Sequence, residues 1–341
     1  MTTSLQITIR ACVVLACSLS AAMASAQSKY SGIPPEHRKY TLADGVTEKD
    51  VTYYSDGVAC GAKIFLPKGF DPEGKTPAIV LAHGWTGTSE SLFKYANRFA
   101  DRGYVAMGID YRSWGMSDGF VSTVGRVKTE DETRFTEAES KILIKRTRLV
   151  PWKQVEDIRN AISYIQGEAG VDADRIGLWG SSYAGGHVLT VASLDSRVST
   201  IVSQVPGING RDEGPVTLSE AALKDAIRRA RTGQGAEFRT GFSQPRMVDV
   251  ETQQKAAEYR PMHRVQFVPE RVAVLFQIAE NEELINNDRA ARRALSLLKG
   301  QQKKLIEYPG IGHFDIYIED HFERAVTDAA DWYDQHLKDE G

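Results

Sequence analysis

From residue 51 to residue 308 the chain alternates short apolar runs with longer amphipathic stretches. Val51 to Tyr54 and Val58 to Leu66 read as two strands joined at Ser55-Asp56-Gly57, a hairpin signal. Ala78 to Ala82 and Tyr104 to Ile109 are apolar on both faces, and Ile176 to Trp179, Val198 to Val205, Arg271 to Ile278 and Lys303 to Tyr308 complete the predicted strands. Helical spacing fills the intervals at Glu90 to Arg102, Trp152 to Gln166, the stretch from Val188, Asn287 to Lys299 and Asp320 to His336. A wholly apolar strand must be covered on both sides. Strands alternating with helices at this spacing therefore predict an α/β fold, a mostly parallel central sheet with helices on both faces.

Two stretches interrupt the alternation. Phe120 to Pro151 is charged and helical in pattern over Glu130 to Arg148; Gly207 to Glu270 holds one helix, Leu218 to Arg231, followed by an irregular part rich in Gln, Arg and Met. Each leaves the carboxyl end of a predicted strand, the edge where open α/β sheets bind ligands. The expected organisation is one domain over residues 27–341. It carries a helical cap at about 207–270 and a smaller contribution to it at about 120–150.

Composition narrows this picture. The 341 residues are 42% hydrophobic and 26% charged, with a net charge of −3 and both signs interspersed, which gives no reason to expect a nucleic acid or an anionic membrane surface as partner. Residues 1–26 contain no acid and one base, Arg10. Their apolar run Ala11 to Ala24 ends in Ala24-Ser25-Ala26, the small-x-small form of a signal-peptidase site. The expectation is a removed secretory signal, a mature chain from Gln27 and a periplasmic or secreted product; the run is too short for stable membrane insertion. Val14-Leu15-Ala16 before Cys17 fits a lipoprotein signal poorly. Once Cys12 and Cys17 leave with the signal, Cys60 is alone and no internal disulfide can form, so the core must stabilise the fold. The oligomeric state is not legible.

The candidate chemistry centres on Arg175 to His187, RIGLWGSSYAGGH. A serine among small residues between a strand and a helix has the form of a nucleophile elbow, in which the hydroxyl stands above the sheet and the helix amino end faces a developing oxyanion. Ser182 is the candidate nucleophile; Ala184 stands where the usual five-residue form has glycine, and Gly185 and Gly186 follow. A serine needs a base, and that base needs an orienting group. His313, in Tyr308-Pro309-Gly310-Ile311-Gly312-His313-Phe314-Asp315 between the last strand and the last helix, is the candidate base.

Together HGW at 83–85, DYRSWGMSDG at 110–119, GSSYAGG at 180–186 and GIGHFDIY at 310–317 resemble the α/β-hydrolase superfamily. The resemblance is to its dienelactone-hydrolase-like and Xaa-Pro-peptidase-like (cocaine-esterase-like) esterases, and it spans about Val51 to His336. It implies a chain order of nucleophile, acid and histidine. Aligning Ala279-Glu280-Asn281-Glu282-Glu283-Leu284-Ile285 with the family's G-x-x-D-x-x-V/I-P loop puts Glu282 at the acid position, with Glu283 and Glu280 as alternatives. It also implies an oxyanion hole from the backbone amides of Tyr183 and Trp85, and structural roles for His83, Arg112 and Asp118. No metal and no organic cofactor is implied, and the substrate would be a small-molecule carboxylic ester. A peptidase on short or proline-containing peptides, or a lactone or thioester hydrolase, would use the same residues.

Overall fold

A computed structural model describes residues 33–125, 138–146, 148–208, 215–233 and 250–338. The expected signal segment 1–26 lies outside the described residues, as do parts of both insertions. Strands β1 (Thr47–Ser55) and β2 (Val58–Leu66) form the expected hairpin. Asp56 and Gly57 both take positive φ, 51° and 76°, the mirror-image turn whose twist matches that of paired strands. The chain continues through β3 (Thr76–Ala82), α1 (Phe93–Asp101) and β4 (Val105–Ile109) into the first insertion, which holds β5 (Phe120–Thr123) and β6 (Ile142–Lys145). Next come α2 (Pro151–Gln166), β7 (Val171–Ser181), α3 (Tyr183–Ala192) and β8 (Val198–Gln204). The second insertion carries α4 (Glu220–Thr232), α5 (Val250–Glu258) and α6 (Met262–Val265), and β9 (Ala273–Ala279), α7 (Arg293–Leu297), β10 (Lys303–Tyr308) and α8 (Glu319–Leu337) close the chain.

Eight strands form one sheet in the order β1-β2-β4-β3-β7-β8-β9-β10, and only β2 runs against the others. Successive side chains of a strand face opposite sides, so β3 divides its residues between two cores. Ala78, Val80 and Ala82 join the cluster under α2, α3 and α7, and Ile79 and Leu81 join the cluster under α1 and α8. From β3 the chain winds outward to β4, and from β7 it winds the other way, so the strand order reverses between β3 and β7. A crevice opens at the carboxyl ends of strands at such a reversal.

The first insertion differs from expectation. Over 142–145 the chain is a strand paired antiparallel with β5, Thr123 opposite Ile142 and Phe120 opposite Lys145, where the charge spacing predicts helix. Ile142-Leu143-Ile144 suits a pleated surface, and pairing with β5 overrides the pattern. The remainder of the helix expected over Glu130 to Arg148 falls largely outside the described residues.

One buried lysine on α1 sets a stability test. Lys94 is buried, donates to the Tyr317 carbonyl and lies 4.1 Å from the centre of the Phe322 ring. Burial lowers its pKa from 10.5 to about 7. Between those two values the unfolded chain holds a proton that the folded chain does not, so this group's contribution to stability rises with pH and is lost as pH falls toward 7. Urea melts of wild type and Lys94→Met at pH 7 and 9 should show wild type gaining on the variant with pH, by up to about 1.4 kcal/mol per pH unit. A pH-independent difference between them would mean that the lysine keeps its proton.

Candidate active site

Ser182 links β7 to α3 with φ 54° and ψ −120°, a conformation that an L-residue holds only when its surroundings over-determine it. Here three backbone hydrogen bonds do so. Its amide donates to the Gln204 carbonyl (2.8 Å), and its carbonyl accepts from Gly185 (2.9 Å) and Gly207 (2.7 Å). The tightest approach behind the elbow is at Gly180, where a Cβ would stand 2.5 Å from the Ala184 carbonyl oxygen. Ala184 itself is buried without difficulty, so the alanine at the usual glycine position costs the turn nothing visible.

His313 follows β10 and reaches back to the elbow. Its Nδ1 donates to both carboxylate oxygens of Glu282, at 2.9 and 2.8 Å, which leaves Nε2 free to accept from the Ser182 hydroxyl at 3.1 Å. The His313 and Glu282 side chains are only 2% and 1% exposed, so this pair works away from bulk water. Glu282 Oε1 also accepts from the amides of Leu284 and Ile285, which holds the carboxylate in place.

The other two glutamates of this loop are exposed, yet each has a backbone partner and neither touches the ring. Glu283 accepts from the His313 amide at 2.9 Å and Glu280 from the Gly310 amide at 2.7 Å. Three carboxylates from one loop thus fix one histidine loop, one at the ring and two at the backbone. These latches escape sequence reasoning because their partners are backbone amides about thirty residues away, which no side-chain motif records.

Trp85 stands after β3, beside the elbow. Gly84 makes this possible, since a Cβ there would sit 2.9 Å from the Ser182 Cβ and 3.1 Å from the Ser181 carbonyl oxygen. The Trp85 and Tyr183 rings meet edge to face at 5.0 Å. Neither of their amides donates to an acceptor among the described residues, so both donors remain available near Ser182. Two free amides beside a serine hydroxyl could donate to an oxyanion if one formed there.

None of His83, Arg112 and Asp118 hydrogen-bonds to Ser182, His313 or Glu282, although His83 lines the larger of the cavities beside Ser182. His83 donates from Nδ1 to the Gly84 carbonyl (3.0 Å), and burial pushes its pKa down, which keeps it neutral. Arg112 binds Asp157 from Nε (2.7 Å) and Ser55 from Nη2 (2.6 Å), tying the loop after β4 to α2 and the hairpin. Asp118 serves through its backbone, accepting from Ser113 and donating to Ala59. Behind Tyr183, His187 is held by Tyr259 (2.9 Å) and Gln154 (3.0 Å). Burial, followed by the nearby His83, lowers the pKa of His187 to about 3, so it is a neutral packing group.

Two cavities open on Ser182. One of about 620 Å³ is lined by His313, Phe314, Tyr317 and Trp114, and the other, about 330 Å³, by Tyr183, Gly207, Tyr259 and Pro261. The second insertion supplies Tyr259 and Pro261, and the first supplies Arg146 at the larger cavity. Sequence reasoning missed Arg146. A single arginine in a charged insertion carries no signal until the fold brings it to the cavity.

The sheet order, the reversal between β3 and β7 and the strained serine after β7 are those of an α/β-hydrolase, an enzyme of the serine-hydrolase type. The chain belongs to the X-Pro dipeptidyl-peptidase (S15) family, whose sequence model matches residues 56–266. It is 28% identical over 310 residues to the 31.7 kDa protein of the traX-finO intergenic region of Escherichia coli, covering 83% of this chain and 97% of that one. It is 27% identical over 316 residues to the quorum-quenching protein AidA of Acinetobacter baumannii (strain MDR-ZJ06), covering 83% and 93%. Among solved structures, the α/β hydrolase GrgF from Penicillium sp. sh18 shares the fold at a TM-score of 0.68 and 19% identity, over 85% of this chain and 99% of that one.

Proposed function

We propose that the protein is an exported serine esterase that cleaves small carboxylic esters through an acyl-enzyme. The observation that carries this reading is the unbroken chain of hydrogen bonds from Ser182 through His313 to Glu282. His313 Nε2 takes the Ser182 proton as Oγ attacks the acyl carbon. The Trp85 and Tyr183 amides receive the oxyanion, and Glu282 stabilises the imidazolium. The intermediate collapses as the bond from the acyl carbon to the leaving oxygen breaks and Nε2 returns its proton to that oxygen. Water, deprotonated by His313, then attacks the acyl-enzyme; the acid departs and Ser182 regains its proton. The export half of the proposal rests on the apolar run and the Ala24-Ser25-Ala26 site within residues 1–26.

The family match makes a peptidase the natural second reading, and the lining of the site speaks against it. A peptidase that reads a free amino terminus needs a carboxylate for the ammonium group. Among the described residues neither cavity is lined by an aspartate or glutamate. Purified residues 27–341 should hydrolyse p-nitrophenyl acetate, butyrate or octanoate and leave Ala-Pro-p-nitroanilide essentially untouched. Faster turnover of the peptide than of all three esters would overturn the esterase reading.

A further inference from the structure

The two cavities that meet at Ser182 are chemically different. Both are walled by Trp85, Ser182 and Leu284, but His313 lines only the larger and Tyr183 only the smaller. On the esterase reading, this asymmetry decides which half of the substrate lies where. Collapse of the tetrahedral intermediate requires the leaving oxygen to sit within about 3 Å of His313 Nε2, because that nitrogen must give it a proton. Whatever is attached to that oxygen extends into the space that His313 faces, the cavity of about 620 Å³. The acyl chain is left with the cavity of about 330 Å³.

The larger cavity also carries a sign of charge. Its described lining includes Arg38 and Arg146 and no acidic residue. Arg38 has Glu90 at 3.7 Å. Arg146 is held differently, with Nη1 donating to the Ser117 carbonyl (2.7 Å) and Nη2 to the Gly115 carbonyl (2.7 Å). Neither acceptor carries a charge, and no carboxylate pairs with this guanidinium among the described residues. A guanidinium has about five N–H donors in a rigid plane. Two carbonyls fix that plane here and leave donors and the full positive charge at the edge of the cavity. That is the arrangement suited to an incoming oxyanion, which an arginine can grip through two parallel hydrogen bonds.

We propose that the larger cavity is the leaving-group site and that Arg146 binds an anionic group there, so that the esters this protein cleaves carry a carboxylate or phosphate on their alcohol portion. The inference rests on the esterase reading of the same site. Arg146 binds substrate and takes no part in moving the proton. The bonds made and broken are those of the acyl-enzyme cycle above, and the anion leaves unchanged on the departing alcohol. The cap side of Ser182, walled by Tyr183, Tyr259 and Ile285, sees only the acyl chain.

The test compares butanoate esters of four phenols: 4-hydroxybenzoate, its neutral methyl ester, 4-hydroxyphenyl phosphate and 4-nitrophenol. A fifth ester, 4-nitrophenyl hemisuccinate, moves the carboxylate to the acyl side. Each kcat/KM is divided by the rate of the same ester with hydroxide, which removes differences in leaving-group reactivity. The expected result is a preference of about tenfold or more for an anionic phenol over the neutral methyl ester, weakened by added salt. The carboxylate and phosphate substrates show which oxyanion fits. In Arg146→Gln the preference should fall toward unity, chiefly through KM, while Arg146→Lys, which keeps the charge, should retain part of it. Three results would each overturn the proposal: equal normalised rates on charged and neutral phenols, a preference that survives Arg146→Gln, or a preference for the hemisuccinate. Activity on 4-nitrophenyl butanoate with indifference to the anion removes the anion site and leaves the esterase reading standing. Inactivity on every ester removes both.

Discussion

Replacing Ser182 with alanine should lower kcat on a p-nitrophenyl ester by about 10⁵- to 10⁶-fold, with KM little changed. On the proposed mechanism the substitution deletes the atom that attacks the acyl carbon, and it leaves both cavities and the free amides of Trp85 and Tyr183 in place. A residual rate of about 10³-fold over water is therefore expected from binding and the oxyanion site alone. The fold should survive, because the hydrogen bonds that hold residue 182 at positive φ run through its backbone. The adjacent Ser181 supplies the control. Its hydroxyl is buried, 2.6 Å from the Tyr317 hydroxyl and 3.3 Å from the Gln204 carbonyl, and it has no histidine partner. Ser181→Ala should cost far less than Ser182→Ala. Equal losses in the two variants would mean that the elbow has been assigned to the wrong serine.

Glu282→Gln should lower kcat by about 10³- to 10⁴-fold at neutral pH. The change is nearly isosteric, so packing is not the cause. A carboxylate accepts from His313 Nδ1 and thereby leaves Nε2 unprotonated for the Ser182 hydroxyl. An amide can instead donate to Nδ1, which puts the ring proton on Nε2 and points a donor at the nucleophile. It also removes the charge that stabilises the imidazolium. Glu283→Gln makes the contrast. Glu283 touches the His313 amide, not the ring, so its loss should cost about tenfold or less through loop position. If Glu283→Gln were the more damaging change, the ring partner in the working enzyme would be Glu283.

The loops that bring Ser182, His313 and Glu282 together are legible to different degrees. The elbow could be read from sequence because its geometry forces composition; small residues at 180, 185 and 186 are the chemical trace of a tight strand-to-helix turn. His313 was legible from chain order and its flanking glycines. Glu282 needs the family's loop spacing, since nothing local separates it from Glu280 and Glu283; only the three donors that they face do. Among the strands, β3 and β4 announce themselves as apolar runs, whereas β7 begins at Val171, earlier than its apolar run at Ile176. Residues 172–175, Asp-Ala-Asp-Arg, are half-buried or exposed, so hydrophobicity does not mark them, and Thr76 opposite Val171 extends the pairing. The strand at 142–145 was lost to a charge pattern that mimics helix. Arg146 had no pattern at all, because carbonyls distant in the chain hold it.

The most direct test of the central claim is intact-mass and peptide-map analysis of residues 27–341 after reaction with a fluorophosphonate. A buried histidine–glutamate pair activating Ser182 predicts one phosphonyl adduct per chain, mapped to Ser182, with loss of ester hydrolysis in step with labelling. Ser181→Ala should still label, and Ser182→Ala should not. An adduct on any other residue, or an unlabelled wild-type protein that still hydrolyses esters, would contradict the account.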